Sequence, residues 1–236
     1  MARIISLMSG KGGVGKTTTA INLGYAIHKL GAEVIVVEGS LTSPNLSHHL
    51  GNTYFPVTLH DVMQKNSGIH DAVYEHECGL KIIPASISVD ALKLIDFDEF
   101  RKNLQDLHLV ADFVIIDGSS GLGRQSEAII DMSEEVLVLT NPSRPSLHES
   151  KRVLEFVKKR KKPVSGVVVN KHTNNFVLED IEDFLDHIVL HTISHDSKFD
   201  SSIEKKAPFT HIYPSRKPSI EYIDLAKKIT GKVYGV

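Results

Sequence analysis

The chain has 236 residues, of which 27 are lysine or arginine and 29 are aspartate or glutamate, giving a formal net charge of -2. This near balance argues against a protein that wraps nucleic acid or holds a membrane through a general basic charge. The single cysteine, Cys78, excludes an internal disulfide framework and any metal centre built from several thiolates of one chain. The 13 histidines show no spacing typical of a metal site, so we assign none of them a metal.

No stretch of the sequence approaches the roughly 20 apolar residues needed to cross a bilayer. The apolar run before Ser9 is too short for a secretion signal. Because no repeat, low-complexity tract or flexible linker divides the chain, we expect one domain over residues 1–236. We also expect a cytoplasmic location, with any contact to a membrane made through a partner.

Short apolar runs alternate with segments of helical period along the whole chain. After the first run, Ala20, Leu23, Ile27 and Leu30 share one helical face, and Gly31 follows as a natural helix end. This alternation predicts an α/β fold with a doubly wound, mostly parallel β-sheet of seven or eight strands flanked by helices. The predicted strands are Ile4–Met8, Val34–Val37, Leu80–Ile83, Phe113–Ile116, Val136–Leu139, Val164–Val169 and Ile188–Ile193.

The first strand leads into a motif of the form G-x-x-x-x-G-K-[ST], which is typical of a phosphate-binding loop between a strand and a helix. Its glycines permit positive φ, so successive backbone N–H groups can face phosphate oxygens at the positive end of the helix dipole. The motif predicts a nucleotide site, against the alternative of a chance glycine-rich turn. It consists of Gly10, Lys11, Gly12, Gly13, Val14, Gly15, Lys16 and Thr17, and Thr18 follows it.

Three side chains at the start of this helix suit a nucleoside triphosphate with Mg²⁺. We expect Lys16 to reach the β and γ phosphates and the Thr17 hydroxyl to complete the shell of a magnesium ion. Thr18 is then placed for an α-phosphate oxygen. The predicted cofactors are therefore ATP, its product ADP, and Mg²⁺.

An aspartate follows the apolar run Phe113–Ile116. Asp117 is expected to hold the magnesium ion through water, because an aspartate at the end of a buried strand suits that role. A helix-capping aspartate is the alternative. The next residues, 118–121, are small, and we expect a flexible segment there that senses the γ-phosphate.

Lys11 is not required by the phosphate loop itself, and its charge needs a negative partner. Together with the stretch KGGVGKTTT, it makes the sequence resemble the MinD/ParA family of deviant Walker ATPases, most closely the MinD type. Further stretches support this resemblance over most of the chain: Pro44-Asn45-Leu46, residues 58–62, residues 80–85, Thr140-Asn141-Pro142 and Val169-Asn170-Lys171.

The resemblance implies a cytosolic switch that dimerises on ATP. In the family, the lysine matching Lys11 crosses the dimer interface and contacts the phosphates held by the other subunit. Such a contact behaves like an arginine finger supplied in trans, worth about 10³–10⁵ in rate in GTPases. A solvated surface lysine is the alternative. The resemblance also implies an unidentified activating or client protein, and a role in division-site selection or positioning of a cargo.

One departure from the family follows the second strand. Members of the family usually carry two aspartates separated by one residue, whereas this chain has Glu38 and Ser40. Glu38 keeps a carboxylate on a longer arm and is expected to orient the attacking water. Ser40 keeps only a neutral hydroxyl. Because a displacement of about 1 Å can cost on the order of 10²-fold in rate, hydrolysis is expected to be slow.

Two functions of different classes remain open at this point. The preferred one is an ATPase with slow, partner-stimulated turnover that relies on Lys11, Lys16 and Glu38. The other is a nucleotide-sensing binding module that dimerises or recruits a partner with little or no hydrolysis.

The family reads the adenine ring near a strand end that matches Asn170 and Lys171. An asparagine offers both a donor and an acceptor to a base edge, so we expect Asn170 and Lys171 to bind the nucleotide. A turn asparagine is the alternative.

Two further segments bear on possible partners. The basic run 158–162 raises DNA binding in the manner of ParA partition ATPases, but cations at a helix C-terminus also favour the helix dipole without any partner. We therefore expect no DNA binding. Near the C-terminus, Ile220, Ile223, Ala226 and Ile229 form an apolar face. With Lys232 and Val236 in the tail, this segment predicts a last packed helix and weak or absent membrane binding.

Overall fold

A computed structural model describes residues 2–52, 54–88, 90–91, 95–173 and 177–231. The tail residues Lys232 and Val236 lie outside these ranges. Within them, eight strands form one sheet. The strands are β1 (Arg3–Ser9), β2 (Val34–Glu38), β3 (Tyr74–Glu75), β4 (Lys81–Ile83), β5 (Phe113–Ser120), β6 (Glu135–Thr140), β7 (Val164–His172) and β8 (Val189–Ser194).

The strand order is β3-β4-β2-β5-β1-β6-β7-β8. The seven strands from β4 to β8 along this order are parallel, and β3 pairs antiparallel with β4. The central strand β1 is buried at every position after Arg3 because helices cover both of its faces. This arrangement confirms the predicted doubly wound, mostly parallel α/β fold.

Helices pack on both faces of the sheet. They are α1 (Lys16–Lys29), α2 (Leu46–Leu50), α3 (Leu59–Met63), α4 (Phe97–Asp106), α5 (Arg124–Met132), α6 (Arg144–Lys159), α7 (Leu178–Leu185), α8 (Phe199–Glu204), α9 (Phe209–Ile212) and α10 (Lys217–Thr230). Short 3₁₀ turns occupy Ile69–Ala72 and Leu107–Leu109. In the described part of the chain, no helix is both long and apolar enough to span a membrane.

Two apolar cores result, one on each side of the sheet. One contains α1, which packs against β1, β2 and β5, and α10, which packs against α1 and β8. The other is built around Phe100 and Leu104 of α4 and the inner faces of α5, α6 and α7. Since the parallel strands all end at one edge, the segments after β1, β2, β5, β7 and β8 meet there, and they form the site described below.

Each of the seven strands predicted from apolar runs is present, with its ends shifted by a residue or a few. The sequence did not predict β3, because a two-residue strand carries no readable pattern. The segment between β2 and α3 contains α2, and Leu41, Leu46 and Leu50 are buried within it.

Two expectations need correction. Residues 118–120 continue β5 rather than forming a flexible loop, because β5 pairs with β1 as far as Ser120, opposite Ser9. On α10, Ala226 and Ile229 are buried and Ile223 packs partly against the core as expected, but Ile220 is 53% exposed. The packed face extends instead to Tyr222 and Leu225, which were not part of the face predicted from the sequence.

Candidate functional site

The segment between β1 and α1 folds as a phosphate loop. Gly13 and Gly15 have φ of +76° and +96°, values that a residue with a Cβ adopts only with strain. A Cβ on Gly15 would also collide with the Asn170 amide, and one on Gly10 would collide with the backbone of Glu149 in α6. These glycines are therefore required by both conformation and space. Helix α1 begins at Lys16, so its free N–H groups face the loop.

The polar side chains at the start of α1 meet Asp117 of β5. The Thr17 hydroxyl donates to Asp117 Oδ2 at 2.6 Å, and the Lys16 ammonium donates to Ser9 Oγ at 3.0 Å. Ser9 in turn donates to the Lys11 carbonyl at 2.9 Å, which fixes the turn of the loop. The sequence therefore correctly predicted that Lys16, Thr17 and Asp117 lie together. The part played by Ser9 was not predicted.

Asp117 carries an unused acceptor in the interior. It is 1% exposed, and its Oδ1 atom has no hydrogen-bond partner in the described structure. Burial raises the pKa of Asp117 to about 6, against the opposing effects of the Thr17 hydroxyl and the Lys16 charge. Burial likewise lowers the pKa of Lys16, while the charges of Asp117 and Glu38 act to raise it. A buried carboxylate oxygen without a partner, beside a threonine hydroxyl, fits the ligand chemistry of Mg²⁺.

Glu38, at the end of β2, is turned into the protein. It is fully buried, and its Oε2 atom accepts from the backbone N–H of Asn45 at 2.6 Å and of Leu46 at 2.9 Å. Its Oε1 atom accepts from the Ser40 N–H at 3.1 Å. Burial, followed by the charge of Asp117, raises the pKa of Glu38 to about 8, although the three amide donors act in the opposite sense.

These bonds engage both carboxyl oxygens of Glu38 in the empty site, so its orientation of an attacking water stays a prediction that they do not support. The side chain holds its own loop closed over the start of α2, and Glu38 does not line the nucleotide cavity. Ser40 does line the cavity, and its hydroxyl donates to the Ser43 carbonyl at 3.2 Å. Glu38 points away from the cavity because its long side chain reaches past the end of β2 to the backbone N–H groups of residues 45 and 46.

Lys11 is exposed to solvent, so its side chain is accessible to a second subunit. Among the described residues its ammonium has no hydrogen bond or ion pair. It also lies outside the lining of the nucleotide cavity of its own chain. These observations agree with a role in trans and equally with a solvated lysine, so the role of Lys11 stays a prediction.

Asn170 and Lys171, at the end of β7, brace the phosphate loop. Asn170 Nδ2 donates to the Val14 carbonyl at 2.7 Å, and the Lys171 ammonium donates to the Gly13 carbonyl at 3.0 Å. The Asn170 Oδ1 atom accepts from the Lys171 N–H at 2.9 Å. Both residues also line the cavity. Contact with a base stays a prediction, whereas the bracing role was not foreseen from the sequence.

The cavity above the phosphate loop has a volume of about 690 Å³, which is enough for a nucleotide. Besides the loop, its walls come from segments that were not assigned to the site from the sequence. Residues 195–203 could have been assigned to it from their position alone, because they follow β8 at the edge of the sheet where the phosphate loop follows β1. These additional wall residues are Ser43, Asn45, His49, His195, Asp196, Ser197, Phe199, Asp200 and Ile203.

The remaining sequence candidates lie away from this edge. In the basic run, Arg160 is bound by Glu127 and Asp131, and the Lys162 ammonium donates to the carbonyl oxygens of Asp131 and Ser133. Two of the five cations are thus engaged within the chain, which does not favour DNA binding. Cys78 is a free thiol, and burial raises its pKa. Over the residues described, no cluster of three or more histidine, cysteine or acidic side chains is suited to a metal.

Comparison with known proteins agrees with this geometry. The AAA domain family model matches residues 2–172. An uncharacterized ATP-binding protein of Methanocaldococcus jannaschii is 30% identical over 231 residues, covering 97% of this chain and 88% of the relative.

Solved structures extend the likeness to the fold. The cell division ATPase MinD of Pyrococcus furiosus superposes with a TM-score of 0.92 at 30% identity, covering 98% of this chain and 99% of the other. The septum site-determining protein MinD of Pyrococcus horikoshii, complexed with Mg-ADP, gives 0.91 at 30% identity over 97% and 96% of the two chains. Likeness in both sequence and structure over nearly the whole length shows that this chain belongs to the MinD/ParA family of P-loop ATPases.

Proposed function

We propose that this protein is an ATP-dependent switch ATPase of the MinD type, which binds ATP with Mg²⁺ and dimerises across the two bound nucleotides. The observation that carries the proposal is the preformed contact between Thr17 and Asp117, beside Lys16 and an unpartnered Asp117 oxygen. The Pyrococcus horikoshii relative complexed with Mg-ADP supports the choice of ligand.

The residues of this chain would divide the work as follows. Backbone N–H groups of residues 12–16 and the Lys16 ammonium bind the β and γ phosphates, and Thr18 binds the α-phosphate. Thr17 and Asp117 hold the magnesium ion, which offsets phosphate charge when bound. Asn170 and Lys171 keep the loop in its binding conformation through the Val14 and Gly13 carbonyls, and they border the base.

Dimerisation assigns a task to Lys11. Its ammonium would reach the phosphates held by the second subunit, so that two copies associate only when nucleotide supplies the negative charge. The exposed and unpaired state of Lys11 in the described structure leaves its ammonium available for this contact. Septum placement or positioning of another cargo, with an activating or client protein, is the process that the MinD relatives suggest.

The two candidate functions, a switch ATPase and a nucleotide-sensing module, differ in whether the protein hydrolyses ATP. Ser40 offers no charge to an attacking water, and Glu38 is bound to backbone amides. This arrangement favours slow hydrolysis that depends on a partner, and it equally supports a nucleotide-sensing module with no useful turnover. The choice between the two is a measurable rate.

The test combines three measurements on the wild type and on Lys11→Ala. Calorimetry with Mg-ATP measures binding, analytical ultracentrifugation measures dimerisation, and phosphate release measures turnover. We expect Lys11→Ala to bind Mg-ATP as a monomer with affinity within about threefold of wild type, but to lose ATP-dependent dimerisation. Lys29→Ala, an exposed lysine at the far end of α1, is the matched control.

Three outcomes decide between the readings. Absence of Mg-ATP binding by the wild type would overturn the proposal as a whole. Binding without ATP-dependent dimerisation would remove the switch, and equal dimerisation by Lys11→Ala would remove the role of Lys11. An ATP-bound dimer without phosphate release, alone or with a stimulating partner, would establish the binding module instead.

A further inference from the structure

A second concave surface lies at the opposite edge of the sheet from the phosphate loop. It is a groove of about 600 Å³ between the C-terminal half of α6 and the turn that joins α7 to β8. Val164, the first residue of β7, lies at its base, whereas the phosphate loop follows the last residue of β1. We call it the α6–α7 groove, and it is lined by Lys151, Leu154, Glu155, Lys158, Lys161, Lys162, Val164, Leu185, Asp186 and His187.

Positive charge dominates this lining. Four lysines face two carboxylates, those of Glu155 and Asp186, which leaves an excess of two positive charges with histidine neutral. Lys158 and Lys161 are exposed, and in the part of the chain that the structure describes their ammonium groups have no hydrogen bond or ion pair. They are therefore free to bind an anion.

The other two lysines are fixed in place while keeping their charge. The Lys151 ammonium donates to the Phe184 carbonyl at 2.8 Å, and the Lys162 ammonium donates to the Ser133 carbonyl at 2.8 Å. Lys151 lies more than two turns before the end of α6, so the helix dipole does not explain it. These two fixed charges add a constant positive potential beneath the two free ones.

Beneath the lysines the groove is apolar. Leu154 and Leu185 are buried below it, and Val164 is half-buried. Ile188, directly after the turn, is 72% exposed. An anion that carries an apolar side chain would therefore find a surface for both parts, which a free phosphate ion would not use.

The backbone at the rim of this groove passes through the left-handed region at two helix ends. Lys161 follows the end of α6 and Asp186 ends α7, with φ of 56° and 52°. Asparagine and aspartate tolerate this region comparatively well, but lysine does not. The turn after α6 therefore places the Lys161 cation at the rim of the groove at a cost in backbone conformation.

We propose that the α6–α7 groove binds an acidic peptide segment of a partner protein. Carboxylates of the peptide pair with Lys158 and Lys161, and an apolar side chain between them packs on Leu154, Val164 and Leu185. An acidic peptide fits both parts of the lining, because its carboxylates match the lysines and its apolar side chains match the leucines and valine, whereas phosphate groups match the lysines alone. The groove is remote from the nucleotide cavity, so this inference does not depend on ATP binding.

The test uses the full-length protein and a labelled peptide of about a dozen residues that alternates pairs of glutamate with single leucines. Fluorescence anisotropy at about 50 mM salt measures its affinity, since exposed charge pairs are weakened at higher salt. We expect the double substitution Lys158→Glu with Lys161→Glu to weaken binding at least about tenfold. Replacing the leucines of the peptide by serine is expected to weaken binding as well, by about fivefold.

Lys161→Gly separates binding from folding. Glycine relieves the left-handed backbone, so the free energy of unfolding is expected to rise while peptide affinity falls about threefold. Lys65→Gly is the matched control, because Lys65 is also a lysine with positive φ but lies outside the groove. This control is expected to keep wild-type peptide affinity.

The proposal fails if wild-type protein does not bind the acidic peptide, or if the charge-reversed protein binds it equally well. It also fails if duplex DNA or phosphatidylglycerol vesicles bind the wild type in a manner sensitive to these substitutions while the peptide does not. In that case the lysines form a surface for phosphate groups rather than a peptide groove.

Discussion

The segments that follow β1 and β2 leave the sheet at the same edge but use their polar groups in opposite ways. After β1, the glycines hold the backbone so that N–H groups and the Lys16 side chain face an open cavity. After β2, Glu38 uses its carboxylate to bind the amides of its own loop. The first segment is therefore arranged to bind a ligand, and the second is satisfied without one.

Because of this difference, substitutions in the two segments are expected to change different measured quantities. Removing a side chain that has no partner until the ligand binds changes the free energy of unfolding of the empty protein little, but it lowers the affinity for the ligand. A group that satisfies buried amides shows its loss in stability. The contrast between β1 and β2 can thus be tested by asking which substitutions change affinity and which change the free energy of unfolding.

The largest effect is expected for Lys16→Ala. Removing this half-buried ammonium takes away the charge that faces the β and γ phosphates, so Mg-ATP affinity should fall by about 10³-fold. The free energy of unfolding of the nucleotide-free protein should change little, because the cost of burying the Lys16 charge offsets its attraction to Asp117 and Glu38 and its hydrogen bond to Ser9. Calorimetry measures the first quantity and urea unfolding the second. A loss in stability that accounts for the loss in affinity would contradict the ligand-directed role.

Glu38→Ala is expected to show the opposite pattern. Three backbone N–H groups lose their acceptor, so the free energy of unfolding should fall by about 2 kcal/mol. The matched control is Glu33→Ala, since Glu33 is an exposed glutamate paired with Lys81 and its loss should cost less than about 0.5 kcal/mol. Urea unfolding at pH 7 compares the two. Equal effects would show that the bonds of Glu38 do not hold the loop.

The comparison also shows what the sequence could and could not predict. The backbone conformation of the segment after β1 was predicted because spaced glycines dictate it, and a lysine and two threonines follow at fixed positions, although the contacts of Ser9 were not. Asp117 was predicted because an acidic residue after a buried strand must lie at the carboxyl edge. The strands themselves could be read because buried parallel strands are apolar almost throughout.

The direction of Glu38 could not be read from the sequence. Its position at the strand end is local information, but its partners at residues 45 and 46 depend on how the following loop folds back. The same limit applies to Asn170, whose Val14 partner is 156 residues away, and to the cavity wall at residues 195–203. These contacts are set by the tertiary fold, for which the sequence carries no local pattern.

A smaller effect is expected where the two segments share a neighbour, at Asp117. Because burial raises the pKa of Asp117 to about 6, above its value in the unfolded chain, the ionised carboxylate that predominates at pH 7.5 destabilises the folded, empty protein. Asp117→Asn should therefore raise the free energy of unfolding at pH 7.5 by on the order of 1 kcal/mol. It should also reduce the strengthening of ADP binding by Mg²⁺ about tenfold. Calorimetry with and without Mg²⁺ would contradict the assignment if the strengthening persisted.

The smallest effect is expected at His49 in α2, which belongs to the segment after β2. Burial, followed by the charge of His48, lowers the pKa of His49 below its usual value, so the imidazole is neutral in the folded protein. The unfolded chain takes up a proton near pH 6.5, so His49 contributes stability above that pH, and the contribution is lost as pH falls.

His49→Leu should therefore reduce the loss in the free energy of unfolding between pH 7.5 and pH 5.5, by less than about 1 kcal/mol. A proton NMR titration of the His49 ring in the wild type should give a midpoint below that of an unfolded peptide. A midpoint equal to that of the peptide would mean that the loop held by Glu38 opens enough to hydrate α2. In that case the segment after β2 would be less closed than its three amide bonds imply, and the contrast with the segment after β1 would weaken accordingly.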